Sequence, residues 1–208
     1  GAFGNSLGTF YIEQGQPATQ IKGTIPDPQD ASKNLFVTLG NSEPEFQMSF
    51  YNEVQVFSNL SLRVLLHWKK GGDNINLTQL LTDAGGTSPD WDADANGNGV
   101  KDGPERLNAG SAAIFVQDAS YVRIREIGLY YNLPIQNNRY IRAIRVGASA
   151  NNWFTWTHYI GYDPEVSNFG SNTINTSVSR GSNGVSTGVD VTPFPASKRM
   201  SFHVGIDF

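Results

Sequence analysis

The stretch 198–208, K-R-M-S-F-H-V-G-I-D-F, decides how the chain is read. Met200, Phe202, Val204, Ile206 and Phe208 fall on one parity, and Ser201, His203, Gly205 and Asp207 fall on the other. Successive side chains of a strand point to opposite faces, so one face of this segment is wholly apolar and the other small or polar. A strand of a soluble sandwich alternates in the same way. Length and ending narrow the choice. A tilted strand needs roughly 9–11 residues to cross a bilayer, and here the apolar parity runs on to a terminal aromatic. The expectation is the closing strand of a transmembrane β-barrel.

Working back from that strand, the same signature recurs. Phe46, Met48, Phe50, Val54 and Val56 share a parity broken by Asn52, and Leu60, Leu62, Val64, Leu66 and Trp68 share another after the break at Ser58-Asn59. These two segments read as a hairpin, with Trp68 where an interfacial aromatic girdle would sit. Residues 121–133 are strand-like, but the apolar parity switches between Ile124 and Ile127, which predicts a bulge. Residues 140–151 form a further strand with small residues on both faces. Two short strands are expected at 9–14 and 19–25, around a Gly15-Gln16-Pro17 turn. Residues 26–45, with Pro26, Pro28, Gly40 and Pro44, read as a loop, and 71–120 and 152–197 read as long loops. Connections that alternate short and long are those of a barrel with tight periplasmic turns and long extracellular loops. The expected fold class is all-β: roughly seven C-terminal strands of a large antiparallel transmembrane β-barrel.

The totals are consistent with this and exclude other classes. With 208 residues the chain can bury a sizeable core, and 22 glycines with 12% aromatics favour turn-rich β-structure over disorder. No apolar run approaches the ~18 residues of a membrane helix, so any span must be made of strands. A mean hydropathy of -0.34 fits strands whose second face is polar. There are no cysteines, which removes disulfides and thiolate metal sites. A net charge of -4 offers no general basic surface for nucleic acid. The first residue is Gly1 and no signal peptide precedes the strands, so the chain is expected to start inside a longer protein or after processing.

Four stretches carry a family resemblance. They are G-N-S-E-P-E-F-Q (40–47), Y-V-R-I-R-E-I-G-L-Y-Y-N-L-P (121–134), N-W-F-T-W-T-H-Y-I-G-Y-D-P-E-V (152–166) and the terminal F-H-V-G-I-D-F. Together they resemble the C-terminal blocks of SusC/RagA-type TonB-linked outer-membrane transporters, over about residues 8–208. The resemblance implies a plugged barrel of about twenty-two strands, of which this chain, residues 1–208, would be the last third, without the plug domain or the TonB-contacting box. It further implies the bacterial outer membrane as location and the rest of the barrel and plug of the same protein as partners. TonB acting through the plug, a SusD-like surface lipoprotein and the surrounding lipid complete the partner set. The cargo would be an oligosaccharide or peptide. The same resemblance makes Phe202, Val204, Ile206 and Phe208 the signal read by the barrel-assembly machinery. Two other readings stay open: a passive or structural outer-membrane barrel, and a soluble β-sandwich binding module.

Three local patterns bear on chemistry. Asp94, Asn96, Asn98, Asp102 and Glu105 fit the D-x-[DN]-x-[DN]-G-x5-E calcium loop, with Gly99 at the sharp turn. Against an ordinary calcium hand, Pro104 is expected to forbid the exiting helix and no helical pattern precedes the loop. A structural Ca²⁺ loop and an ion-free acidic turn are therefore both open. Gly184-Val-Ser186-Thr-Gly188, followed by Asp190 and His203, has hydrolase order, but the serine lies in a Ser/Gly/Asn-rich loop without the strand-to-helix turn of a nucleophile elbow. The chain reads as no enzyme. Trp153, Trp156, Tyr159 and Tyr162 could stack on sugar rings or could simply pack a strand end and girdle. Arg123, Arg125, Arg142, Arg145 and Glu126, on neighbouring strands, are expected to face the lumen and to pair with each other or the plug rather than bind substrate. The glycosylation-type triplets at Asn59, Asn76 and Asn175 read as chance matches.

Overall fold

The structure is a computed structural model that describes residues 2–3, 9–135, 140–165, 188–193 and 196–208. In chain order the elements are β1 (Ala2–Phe3), β2 (Thr9–Tyr11), β3 (Gln20–Asp27), β4 (Asp30–Asn41), β5 (Pro44–Phe57), β6 (Leu60–Gly71) and β7 (Asp73–Asn76). They continue with α1 (Leu77–Ala84), α2 (Asp102–Asn108), a 3-10 turn (Ala112–Phe115), β8 (Val116–Asp118), β9 (Tyr121–Leu133), β10 (Ala143–Thr157), β11 (Val189–Asp190) and β12 (Arg199–Asp207). The chain divides into two compact units: residues 46–70, 121–157 and 195–208 form one, and 1–45, 71–120 and 158–194 the other.

The first unit is a five-stranded sheet in the order β12-β10-β9-β6-β5. Its register turns the alternation of each strand into rows. Leu62, Leu129, Ala148 and Phe202 are successive partners across β6, β9, β10 and β12, as are Val64, Ile127, Ala150 and Met200, and Leu60, Tyr131, Val146 and Val204. The intervening rows are Ser61-Tyr130-Gly147-His203 and Arg63-Gly128-Ser149-Ser201. The expected bulge is present. β6 moves from Leu65 opposite Glu126 to Leu66 opposite Ile124, leaving Arg125 over, and β10 shifts between Asn151 and Phe154. Asn152 in that shift has φ 56°, a left-handed conformation that asparagine tolerates better than most residues. After the shift the rows resume as Leu66-Ile124-Phe154 and Trp68-Val122-Trp156. Without the extra residues, the apolar set would cross to the other face at this point.

The second unit departs from the sequence expectations. Residues 26–45, expected as a loop, hold the long strand β4, paired antiparallel with β3. The prolines mark its turns: Pro28 follows Asp27, whose Oδ1 accepts a hydrogen bond from the Gln29 N–H at 2.8 Å, and Pro44 opens β5. Residues 71–120, expected as structureless, fold into β7, β8 and two helices, so the chain is mostly rather than wholly β. β7 lies between β11, which it pairs in parallel, and β8, antiparallel. α1 starts where the Asn76 side chain accepts from the Gln79 N–H at 2.9 Å. α2 contains Pro104, contrary to the expectation that this proline forbids a helix. It stands in the first turn, where a missing N–H has no intrahelical partner to lose. The strand β10 runs to Thr157, so residues 152–157 belong to the sheet and not to the loop expected at 152–197. Ile21, Ile75, Ala112, Phe115, Ala119 and Tyr159 form the buried apolar core of this unit, next to the fully buried polar side chains of Asp83 and Asp190.

Candidate functional site

The five-stranded sheet has two chemically distinct faces. On one, apolar rows lie open: Phe202 is 80% exposed, Val204 72% and Leu129 47%. Aromatic rings close one end of this face. Trp68 packs edge-on against Phe46 at 5.0 Å, and Phe154 stacks with Trp156 at 6.2 Å. The other face is polar and internally paired. Arg63 Nε lies 3.2 Å from Glu53 Oε1, and the Arg63 guanidinium sits 4.6 Å over the Tyr130 ring. Tyr51 donates to Glu53 at 3.0 Å. A Cβ added at Gly147 would overlap the Tyr130 ring, so glycine there lets the ring lie flat on the sheet. Arg123 donates to Thr155 Oγ1 at 2.9 Å, Arg125 lies 3.2 Å from His67 Nδ1, and Arg145 donates to Asn132 at 2.8 Å. These three are among the residues named from the sequence as a polar cluster; Arg63–Glu53 was not foreseen, although both sit on the polar parity of an expected hairpin. Ser149 and His203 hydrogen-bond across β10 and β12 at 2.9 Å.

In the second unit a buried carboxylate organises the chain around β7 and β11. Asp190 accepts from the Thr78 hydroxyl through Oδ1 and from the Tyr159 hydroxyl through Oδ2, the latter at 2.8 Å. The Thr192 N–H in turn donates to Thr78 Oγ1 at 2.6 Å. Burial, reinforced by the neighbouring Asp190 carboxylate, pushes the Tyr159 hydroxyl well above its ordinary pKa, so it serves as a permanent donor. Gly161 lies against this pair, where any Cβ would overlap the Tyr159 ring and crowd Asp190 Oδ2. Asn74 Nδ2 holds the Pro164 carbonyl at 3.1 Å. The stretch 158–165 is thus pinned by long-range bonds. A second clamp joins the helices: Arg106 of α2 donates through Nε and Nη2 to Asp83 of α1 at 2.8 and 2.7 Å, and to Asp90 at 2.7 and 2.9 Å.

The candidate calcium residues lie in the turn ahead of α2. Asp94 accepts from the N–H groups of Asn98 and Gly99 at 3.0 and 2.9 Å, and Asp102 accepts from the Ala95 N–H at 3.2 Å. The amides of Asn96 and Asn98 both donate to Glu105, at 3.1 and 2.9 Å. Asn96, Asn98 and Glu105 therefore converge, whereas Asp94 and Asp102 are turned to the backbone. Among the described residues no group of three or more His, Asp or Glu side chains is arranged to hold a metal ion.

The four aromatic candidates do not form one set. Trp153 and Trp156 stand exposed on β10, and Trp153 Nε1 donates to the Arg199 carbonyl at 3.1 Å. Tyr159 is 5% exposed and has no free face for stacking. Tyr162 is open, beside a pocket of ≈ 380 Å³ lined by Asn76, Thr78, Thr82, Asp90 and Ile160. Asn76 is buried, which takes its triplet off the surface, while Asn175 and Ser186 lie outside the described residues. The residues expected to form an assembly signal, Phe202, Val204, Ile206 and Phe208, all stand exposed at the β12 edge of the sheet.

No family model matches the chain. It is 26% identical over 190 residues, 78% of its length and 19% of the relative's, to the TonB-dependent receptor P3 of Formosa agariphila. It is similar in structure to the RagAB peptide transporter, with TM-score 0.57 and 16% identity over 94% of this chain and 24% of that one. It is similar also to the RagAB peptide importer in its closed-closed state, with TM-score 0.56 and 18% identity over 90% of this chain and 21% of that one. At these identities the structural likeness speaks for the fold. The chain spans about a fifth of the length of these relatives.

Proposed function

We propose that this chain, a relative of TonB-dependent receptors with the fold of part of a SusC/RagA-like protein, is the C-terminal wall of an outer-membrane importer barrel. The observation that carries the reading is the registered sheet: whole rows across four strands are apolar and half-buried to exposed on one face, while the alternate rows carry the polar side chains. That is the partition a lipid-facing and lumen-facing wall requires. β5 and β12 are the sheet's edges, and an open edge in hydrocarbon would leave backbone groups unsatisfied at several kcal/mol each. The wall must therefore be completed by the remaining strands of the same protein. Around it the reading places a plug reached by TonB and a SusD-like lipoprotein outside, with an oligosaccharide or peptide as cargo.

The loop 94–105 is proposed to stiffen on Ca²⁺. Glu105 and Asp94 would supply carboxylate oxygens, and the Asn96 and Asn98 amides, now donating to Glu105, would turn their oxygens to the ion. The runner-up, a passive barrel, differs in one measurable respect. Uptake by cells carrying the full-length receptor should stop when TonB is removed, whereas a passive barrel would go on admitting cargo.

A further inference from the structure

We infer that the pocket of the second unit is a binding site for one neutral hexose ring, of the kind that ends an uncharged glycan. The turn Ser88-Pro89-Asp90-Trp91 forms one wall. Its Trp91 N–H donates to the Ser88 carbonyl at 3.1 Å, and proline stands at the second position, where its fixed φ suits the turn. Gly161 shapes the other wall. A Cβ there would overlap the Tyr159 ring, so the glycine lets the chain pass close to it, while Ile160 and Tyr162 stand outward, 70% and 71% exposed. The pocket's volume, ≈ 380 Å³, falls in the range of small-molecule sites, about 300–1,000 Å³.

The groups that line the pocket define the ligand's chemistry. Asn76 and Thr78 are committed within the protein. The Asn76 amide accepts from the Gln79 N–H and donates to Gln117, and the Thr78 hydroxyl donates to Asp190 and accepts from the Thr192 N–H. Ser88 and Asp90 differ. Ser88 is 7% exposed, and its buried hydroxyl has no hydrogen-bond partner among the described residues, so a rotation about χ1 turns it to the pocket without breaking a bond. Asp90 is the one carboxylate among the described residues that line the pocket, and it is half open. Arg106 fixes its position, keeps it ionised and cancels its charge, which favours neither a cation nor an anion. Each carboxylate oxygen takes one hydrogen bond from Arg106 and keeps a lone pair for a further donor. A neutral ligand that donates hydroxyl protons to Asp90, meets Ser88 and lays an apolar face on Tyr162 and Ile160 is a pyranose. Hydroxyls surround its edge, and its axial C–H groups give a flat face for an aromatic ring. An apolar peptide side chain of the same size would cover Ser88 and Asp90 without bonding them, leaving polar groups buried and unpaired.

The test is a saturation-transfer NMR titration of the full-length protein in a sugar-free detergent. The probes are the methyl glycosides of glucose, galactose and mannose, with glucosamine and glucuronate as charged counterparts and N-acetylleucinamide as the apolar control. At least one neutral glycoside should show saturable transfer to its ring protons and bind more tightly than the charged sugars and the control. Asp90→Asn should weaken it about tenfold and Tyr162→Ala about fivefold, while Tyr162→Phe stays near wild type. Ser88→Ala should also weaken it and leave the exchange protection of α1 unchanged, because the hydroxyl holds nothing in the free protein. Three results overturn the inference: no saturable transfer to any of the three glycosides, tighter binding of a charged sugar or of N-acetylleucinamide, or wild-type affinity in both Asp90→Asn and Tyr162→Ala. The pocket lies wholly within the second unit, so uptake that persists without TonB would remove the importer reading and leave this site as it is.

Discussion

Replacing Arg106 with Met should destabilise the helical segment of the second unit by about 3–5 kcal/mol, the cost of leaving a buried charge without its partner. The magnitude follows from Asp83, which is 0% exposed and has one oxygen on Nε and the other on Nη2 of the same guanidinium. Asp90, the second partner, is half open to water and adds little. Hydrogen exchange of residues 77–108 in the full-length protein is the assay. At tenfold per 1.4 kcal/mol, protection of the α1 amides should fall by about two to three and a half orders of magnitude. The double change Arg106→Met/Asp83→Leu should recover most of it, because an apolar pair replaces the buried ions without stranding either. Protection within threefold of the wild type in the single variant would refute the reasoning. The pH dependence has a definite sign. Arg106 holds the Asp90 carboxyl below the usual carboxylate range. Its contribution is therefore complete above about pH 4 and is lost as pH falls through the depressed folded value, with no change between pH 8 and 5.

Three other outcomes follow. Gly161→Ala should loosen the 158–165 segment, since its Cβ displaces Tyr159 or Asp190, at about 1–3 kcal/mol; unchanged exchange protection of Thr78 and Thr192 would argue against the Asp190 anchor. Calcium in the millimolar range should raise protection of residues 94–105, and Glu105→Gln should weaken the effect at least tenfold, whereas an isotherm with no saturable heat would leave an ion-free turn. Phe208→Asp in the full-length protein should sharply lower the amount found folded in the outer membrane while Phe208→Tyr stays near wild type; normal surface labelling of the Asp variant would contradict both the proposed girdle and the proposed assembly role.

Much of the sheet could be read from residue order because its information is local. Period-two alternation at Leu60–Trp68 and Met200–Phe208 fixes faces without knowledge of partners, and the change of parity between Ile124 and Ile127 is a bulge written into one strand. β4 escaped because Leu35, Phe36 and Val37 run together without alternation, between prolines that belong to its turns. The 71–120 fold escaped for a different reason. α1 is short, and what holds it is distant in sequence: Thr78 meets Asp190 across 112 positions. The calcium motif identified a turn correctly, and its Asn96 and Asn98 do gather on Glu105, but spacing could not say that Asp94 and Asp102 would cap backbone N–H groups. Tyr159 and Tyr162, three positions apart on either side of Gly161, looked equivalent in the sequence. One is a buried donor and the other an open ring.

The central claim, that one face of this sheet meets lipid and the other a wet lumen, is tested most directly by site-directed spin labelling along β12. Single cysteines at 200–206, a stretch with none of its own, can each carry a nitroxide in the full-length protein reconstituted into bilayers, once any cysteines elsewhere in it are replaced. Labels at Met200, Phe202, Val204 and Ile206 should be relaxed by oxygen dissolved in the lipid, and labels at Ser201, His203 and Gly205 by a water-soluble nickel chelate, with a strict period of two. Accessibility to the two agents that does not alternate, or water access on both parities, would contradict the account.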